Sequence, residues 1–262
     1  MRILKRLLPK KINENIFFLH IPKCGGRSIE KAIYEKYITL NLKNDRNLIR
    51  EDSMISAKVA ELLYSYNYYS GDANDSKILK FRKFYLAYLM FKKYKFIRGH
   101  FPFCKKIYNK FNSQYLFITI LRDPVQKWIS NYFYRKNREE DHWSIEQDIN
   151  KYLESDLGKV HGYDYSKYLG GIDKSLNYNN KSNIDLAKNN LLKFDVVGFL
   201  DEIDLFSEKL SDILDVPINI PHINISKKDK DKISKQNIEK IKKVCKTNIE
   251  IYNFAKKEMK YD

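Results

Sequence analysis

The chain has 262 residues, of which 43% are hydrophobic and 14% aromatic, with only 9 Gly and 6 Pro. That composition excludes global disorder and collagen-like or low-complexity classes. Lys and Arg total 49 against 33 Asp and Glu, a formal net charge of +16, which favours an anionic partner: nucleic acid, anionic lipid, acidic glycan or polyphosphorylated nucleotide. A bias towards Lys, Asn, Ile and Tyr competes with function as the source of that charge. Cys24, Cys104 and Cys245 are scattered and form no C-x-x-C pair, which argues against a disulfide framework or a structural zinc site and suits a reducing compartment.

The N-terminal stretch MRILKRLLPKK is basic but lacks the apolar run and cleavage site of a signal peptide. No apolar stretch reaches the ~18 residues of a membrane span. The expected location is therefore cytoplasmic, with segment 1–14 basic enough to touch an anionic membrane surface. NIFFLHI (Asn15–Ile21) reads as a buried strand bounded by Pro22, followed by a PKCGG turn and a helix over Arg27–Tyr37. Residues 40–57 read as polar and irregular, Lys58–Tyr66 as a helix, and Ser70–Ser76 as a loop. Ile78–Tyr94 reads as a long basic helix whose Phe and Tyr stripe is expected in the core.

KFIRGHF (Lys95–Phe101) reads as a short strand ending near Gly99, and QYLFITIL (Gln114–Leu121) as the strongest buried strand. Asp123-Pro124 is expected to cap a helix over Val125–Arg138. Short helices and a YLGG turn (Tyr168–Gly171) follow, then a strand over Phe194–Phe199 and a helix over Asp201–Leu214. Residues 226–260 read as one long basic C-terminal helix, more often a solvated face than a binding surface. With no internal repeat or clear linker, the pattern predicts one α/β domain over 1–262, a central mostly parallel sheet flanked by helices.

Ligands of open α/β sheets bind at the carboxyl ends of the strands. Three strands end in reactive residue types: PKCGGRS, RGHFPF and RDPVQKWIS. In the first, Gly25 and Gly26 let successive N–H groups face one concavity, and the helix from Arg27 adds its positive end, which makes a phosphate cradle. Lys23 adds a point charge and Ser28 a hydroxyl. A Walker A loop places its Lys after the glycines, and a cysteine-phosphatase loop would need Arg where Glu30 stands; a plain strand-to-helix turn is the competing explanation.

Arg122 at a strand end suits bidentate phosphate recognition, with Ser130 two helical turns on and Asp123 expected to cap the helix and keep Arg122 oriented. A structural Arg–Asp pair is the alternative. His100, beside Gly99, has the context for a general base. His20 is expected to pack within the first strand, and His142, His161 and His222 fall in polar segments. No metal-ligand cluster is evident.

FFLHIPKCGGRSI resembles the 5′-phosphosulfate loop of the sulfotransferases that use 3′-phosphoadenosine 5′-phosphosulfate (PAPS). TILRDPVQKWISNYFY resembles their 3′-phosphate motif, and IRGHFPF their Gly-His segment. The similarity is greatest to the carbohydrate branch related to heparan sulfate 2-O-sulfotransferases and their bacterial relatives. Weaker echoes are YLGG, VVGFLDEID, Asn224-x-Ser226 and the terminal IYNFAKK. The resemblance implies a P-loop nucleotide-kinase-like three-layer fold and transfer of a sulfuryl group to a hydroxyl of a glycan or saccharide-containing acceptor.

It implies that Lys23 stabilises the departing 5′-phosphate, and that the N–H groups from Gly25 to Ser28, with the Ser28 hydroxyl, hold that phosphate. Cys24 and Arg27 complete the cofactor loop, Arg122 and Ser130 hold the 3′-phosphate, and His100 is the base. It implies no metal and no nucleic-acid partner. Arg27 stands where many relatives have Thr or Ser, Cys24 where Thr is common, and Arg98 where some have a second His. Trp128 and Trp143 are candidates to stack on sugar rings or to fill the core. The competing functions are a nucleotide kinase and a non-catalytic polyanion- or glycan-binding protein.

Overall fold

The apolar run after Glu14 forms strand β1 (Asn15–Leu19), with Ile16 to Leu19 all buried, as a strand covered on both faces requires. The computed structural model describes residues 12, 14–38, 48–64, 76–138, 144–171, 178–221 and 233–259. Residues 1–11, the loop residues before Ser76, His142, Trp143, His222, the Asn224-x-Ser226 pair and the start of the basic C-terminal run lie outside them.

In chain order, β1 is followed by α1 (Gly26–Ile38), β2 (Leu48–Arg50), α2 (Ser53–Tyr64), α3 (Ser76–Phe91), β3 (Phe96–Gly99) and α4 (Lys105–Phe111). Then come β4 (Tyr115–Leu121), α5 (Pro124–Lys136), α6 (Ile149–Glu154), α7 (Asp156–Val160), α8 (Asp164–Gly170) and α9 (Lys181–Leu191). The chain continues through β5 (Val196–Phe199), α10 (Ile203–Leu214), α11 (Lys235–Val244) and α12 (Lys246–Glu258). The sheet has the order β2-β3-β1-β4-β5, and every pair is parallel. The fold is α/β with an all-parallel sheet flanked by helices.

From β1 the chain moves to β2 and β3 on one side and then crosses to β4 and β5 on the other. The reversal falls between β1 and β4, so the crevice outside their carboxyl ends is the position where such sheets hold ligands. Phe17 anchors the core beneath it, 5.3 Å edge-on from Phe117 and 6.0 Å from Phe101. A second apolar cluster joins Trp128, Tyr132, Tyr152, Ile241 and Cys245 from α5, α6 and the C-terminal helices.

Several elements depart from expectation. β2 lies in the stretch read as irregular; three residues are too short to show a period. α2 starts at Ser53, five residues early, because Asp52 Oδ1 accepts from the N–H groups of Met54 and Ile55 at 2.9 and 3.0 Å, a local cap. The long C-terminal helix is two helices, broken at Cys245, whose Sγ points to the Pro124 carbonyl at 3.6 Å. The break sets the Val244 carbonyl against Gly162, where any side chain would collide with it. YLGG is the last turn of α8, ended by Gly171 at φ 80°. In α3 the core face is Leu79, Leu86, Leu89 and Met90, while Phe84, Tyr88 and Phe91 are exposed. A rotation of about 100° per residue puts the aromatic stripe opposite the leucines.

Candidate functional site at the carboxyl edge of the sheet

The loop after β1 turns twice through left-handed backbone, at Lys23 (φ 68°) and Gly25 (φ 77°). Gly25 accommodates this freely, whereas Lys23 is held there at a cost of roughly 1–2 kcal/mol. Gly26 is required by close approach, since a methyl there would overlap the His20 imidazole. The Ser28 N–H donates to the Gly25 carbonyl at 3.1 Å. The turn therefore takes that donor, one of those expected to face a phosphate, and leaves the N–H groups of Gly25, Gly26 and Arg27. Arg27 is exposed and Ser28 buried.

Cys24 points inward. Its buried Sγ lies 3.7 Å from both the Pro22 carbonyl and the Tyr165 hydroxyl, and burial pushes its thiol up. Its side chain is a structural contact below the loop. All three cysteines are free and buried.

Arg122 leaves β4 beside this loop and donates from Nη1 to the Lys23 carbonyl at 3.1 Å. Its backbone N–H donates to the Tyr165 hydroxyl at 2.9 Å, and that hydroxyl donates in turn to the Arg122 carbonyl. Asp123 caps α5 as expected, accepting from Gln126 N–H at 2.8 Å with Pro124 at the first helical position. The bonds that hold Arg122 itself, however, run to Lys23 and Tyr165. Ser130 is half-buried two turns along α5, and no hydrogen bond joins it to Arg122 among the described residues.

Lys23 is the centre of the positive charge. Its Nζ sits 3.9 Å above the Tyr134 ring. Burial, then the cations Arg122, Arg27 and Lys127, lowers its ammonium to about 8. Lys127, which is 1% exposed, is neutralised by Asp164 at 2.5 Å, and Lys167 reaches the other Asp164 oxygen at 3.1 Å. His161 lies 3.5 Å from the same carboxylate, buried against it rather than in a polar surface segment. The two lysines and His161 outweigh burial and hold Asp164 well below the usual carboxylate range.

His100 follows β3. Its Nδ1 is 2.7 Å from the His20 carbonyl, and a carbonyl only accepts, so Nδ1 carries the hydrogen. Burial, partly opposed by Glu51 and reinforced by Arg82, lowers its imidazole to about 4. The ring is therefore neutral near pH 7, with its lone pair on Nε2. Behind it Glu51 accepts from the His100 N–H at 3.3 Å and from Ser56 Oγ at 2.5 Å, and pairs with Arg82 at 3.0 Å. Burial would raise the Glu51 carboxyl, but Arg82, His100 and Ser56 together hold it below its ordinary value.

His20 stands just beyond β1 and its role exceeds packing. Its Nδ1 accepts from Arg98 Nη2 at 2.7 Å, Arg98 also pairs with Glu30 at 3.3 Å, and the His20 and His100 rings lie 4.8 Å apart. Trp128 is fully buried with its Nε1–H on the Gly158 carbonyl at 2.8 Å. It fills the core and cannot stack on a ligand.

Lys23, Gly25, Gly26, Arg27 and Arg122 thus lie together at the loop after β1, and His100 is tied to the end of β1 by its bond to the His20 carbonyl. Glu51, Arg82, Tyr165 and Asp164 were not singled out by the sequence. No group of three or more metal-type ligands occurs among the described residues. No family model matches the chain, and no curated protein matches it.

Proposed function

We propose that the chain is a sulfotransferase that moves the sulfuryl group of PAPS to a hydroxyl of a carbohydrate acceptor, on a P-loop nucleotide-kinase-like fold. The observation that carries this reading is the meeting, at the sheet's reversal point, of a left-handed loop bearing Lys23, the Arg122 guanidinium on that loop's carbonyl, and a neutral His100. The cations also fit a polyanion. Burial first, then the Arg122 and Arg27 guanidinium groups, depress the Lys23 ammonium, and a bound phosphate would relieve the repulsion among these cations.

PAPS supplies a sulfuryl group activated by its bond to a phosphate leaving group. The N–H groups of Gly25, Gly26 and Arg27 and the Ser28 hydroxyl hold the 5′-phosphate, and Arg122 with Ser130 holds the 3′-phosphate. The Nε2 lone pair of His100 takes the acceptor hydroxyl proton as the new S–O bond forms. Lys23 stabilises the charge left on the phosphate oxygen as the old S–O bond breaks. Transfer of this kind depends on positioning and electrostatics rather than on covalent work by the protein.

Calorimetric titration with 3′-phosphoadenosine 5′-phosphate and with ADP tests the donor site. Preference for the 3′-phosphorylated ligand by about tenfold or more, equivalent to about 1.4 kcal/mol, is expected, together with its loss in Arg122→Ala. Lys23→Ala should weaken both ligands. Equal or absent binding of the two nucleotides by folded protein overturns the reading.

A further inference from the structure

α3 is apolar on two opposite faces. One face packs into the core through Leu79, Leu86, Leu89 and Met90. The other presents Phe84 (58% exposed), Tyr88 (56%) and Phe91 (64%), spaced i, i+4 and i+7 on a single stripe. Exposed Lys80 lies one turn before Phe84 on that stripe, and exposed Lys92 and Lys93 follow Phe91. From Ser76 to His100 there are eight Lys or Arg and no Asp or Glu. α2, which packs against α3, adds three more exposed aliphatic side chains, Ile55, Leu62 (81%) and Leu63. Large apolar groups at this exposure mark an interaction surface.

We infer that the Phe84–Tyr88–Phe91 stripe, with Lys80, Lys92 and Lys93 around it, docks this protein on an anionic phospholipid bilayer. The chemistry favours that partner over the others. A second copy of the chain would set the same lysines against one another. A single-stranded nucleic acid is held in a charged groove that tracks its backbone, and the outer face of one helix offers no such groove. A bilayer suits the stripe and its cations: aromatic rings settle at the headgroup boundary and Lys reaches the lipid phosphates. The surface is independent of the nucleotide reading.

Flotation of the full chain with vesicles tests this. Binding to phosphatidylcholine–phosphatidylglycerol vesicles is expected at low salt, weakened by about tenfold or more in phosphatidylcholine alone and in 0.5 M salt, on the order set by loss of several lysine contacts. The F84S/Y88S/F91S variant should lose it, and K80E/K92E/K93E should lose its salt-sensitive part. Because the serine variant could misfold, Phe84→Trp gives a second readout: its indole emission should shift to the blue on anionic vesicles. The inference is overturned by no flotation, by binding that a folded serine variant retains, by an emission of the Phe84→Trp variant that vesicles leave unshifted, or by these residues driving dimerisation or oligonucleotide binding instead.

Discussion

Lys23 is strained in its backbone and crowded in its charge, and both features make its chemistry readable in solution. Its ammonium loses its proton near 8 when no anion is bound, while a bound phosphate holds the proton on. Affinity for 3′-phosphoadenosine 5′-phosphate should therefore fall as pH rises above about 8, approaching tenfold per pH unit. The nucleotide's own phosphates titrate near 6 and add nothing there. Lys23→Arg keeps its charge to much higher pH and should flatten the profile; calorimetry at pH 7 and 9.5 distinguishes the two, and a flat profile in the unaltered protein would remove Lys23 from the ligand. His20 and His100 show how one backbone carbonyl and one guanidinium assign opposite tautomers to neighbouring rings. His100 carries its hydrogen on Nδ1, bonded to the His20 carbonyl, and His20 carries its own on Nε2 because Arg98 occupies its Nδ1.

Between elements, α8 acts as a clasp. The Tyr165 hydroxyl reaches Arg122, just beyond β4, and the loop after β1 together, and Asn248 of α12 holds the Tyr165 N–H at 2.8 Å. Tyr165→Phe leaves the Arg122 N–H without its acceptor and should cost about 1–3 kcal/mol, measured as a lower urea midpoint with an unchanged slope; an unchanged midpoint would show that the clasp carries no stability. Tyr165 carries no local mark in the sequence, because its partner Cys24 lies 141 residues away and neither period nor capping records such a bond. Glu51 escaped because the Arg82 and His100 it serves lie on distant elements. The strand–loop–helix units were legible, since apolar runs and Asp123-Pro124 act within a few residues. The two faces of α3 were not separated, because rings and leucines look equally apolar until a neighbour chooses one side.

Across the whole molecule, two buried neutral imidazoles set the response to acid. His100 and His161 are both lowered to about 4 by burial, so below pH 6.5 the unfolded chain takes up protons that the native state refuses. Their contribution is complete above pH 6.5 and should decline by roughly 1.4 kcal/mol per pH unit for each as pH falls towards 4. Asp164 and Glu51, held low in the native state, add a loss of the same sign at still lower pH. Urea unfolding at pH 7 and 5.5 should show this slope, reduced in His161→Phe; equal slopes would mean that His161 is solvated. The sheet order has a consequence for synthesis as well. β1 is the first strand of the sheet in chain order and lies at its centre, paired only with β3 and β4. A ribosome must therefore deliver the chain as far as Leu121 before both edges of β1 are satisfied. Until then Phe17 and Phe18 wait in a strand with at least one open, aggregation-prone edge, and the nucleus is non-local and slow to form.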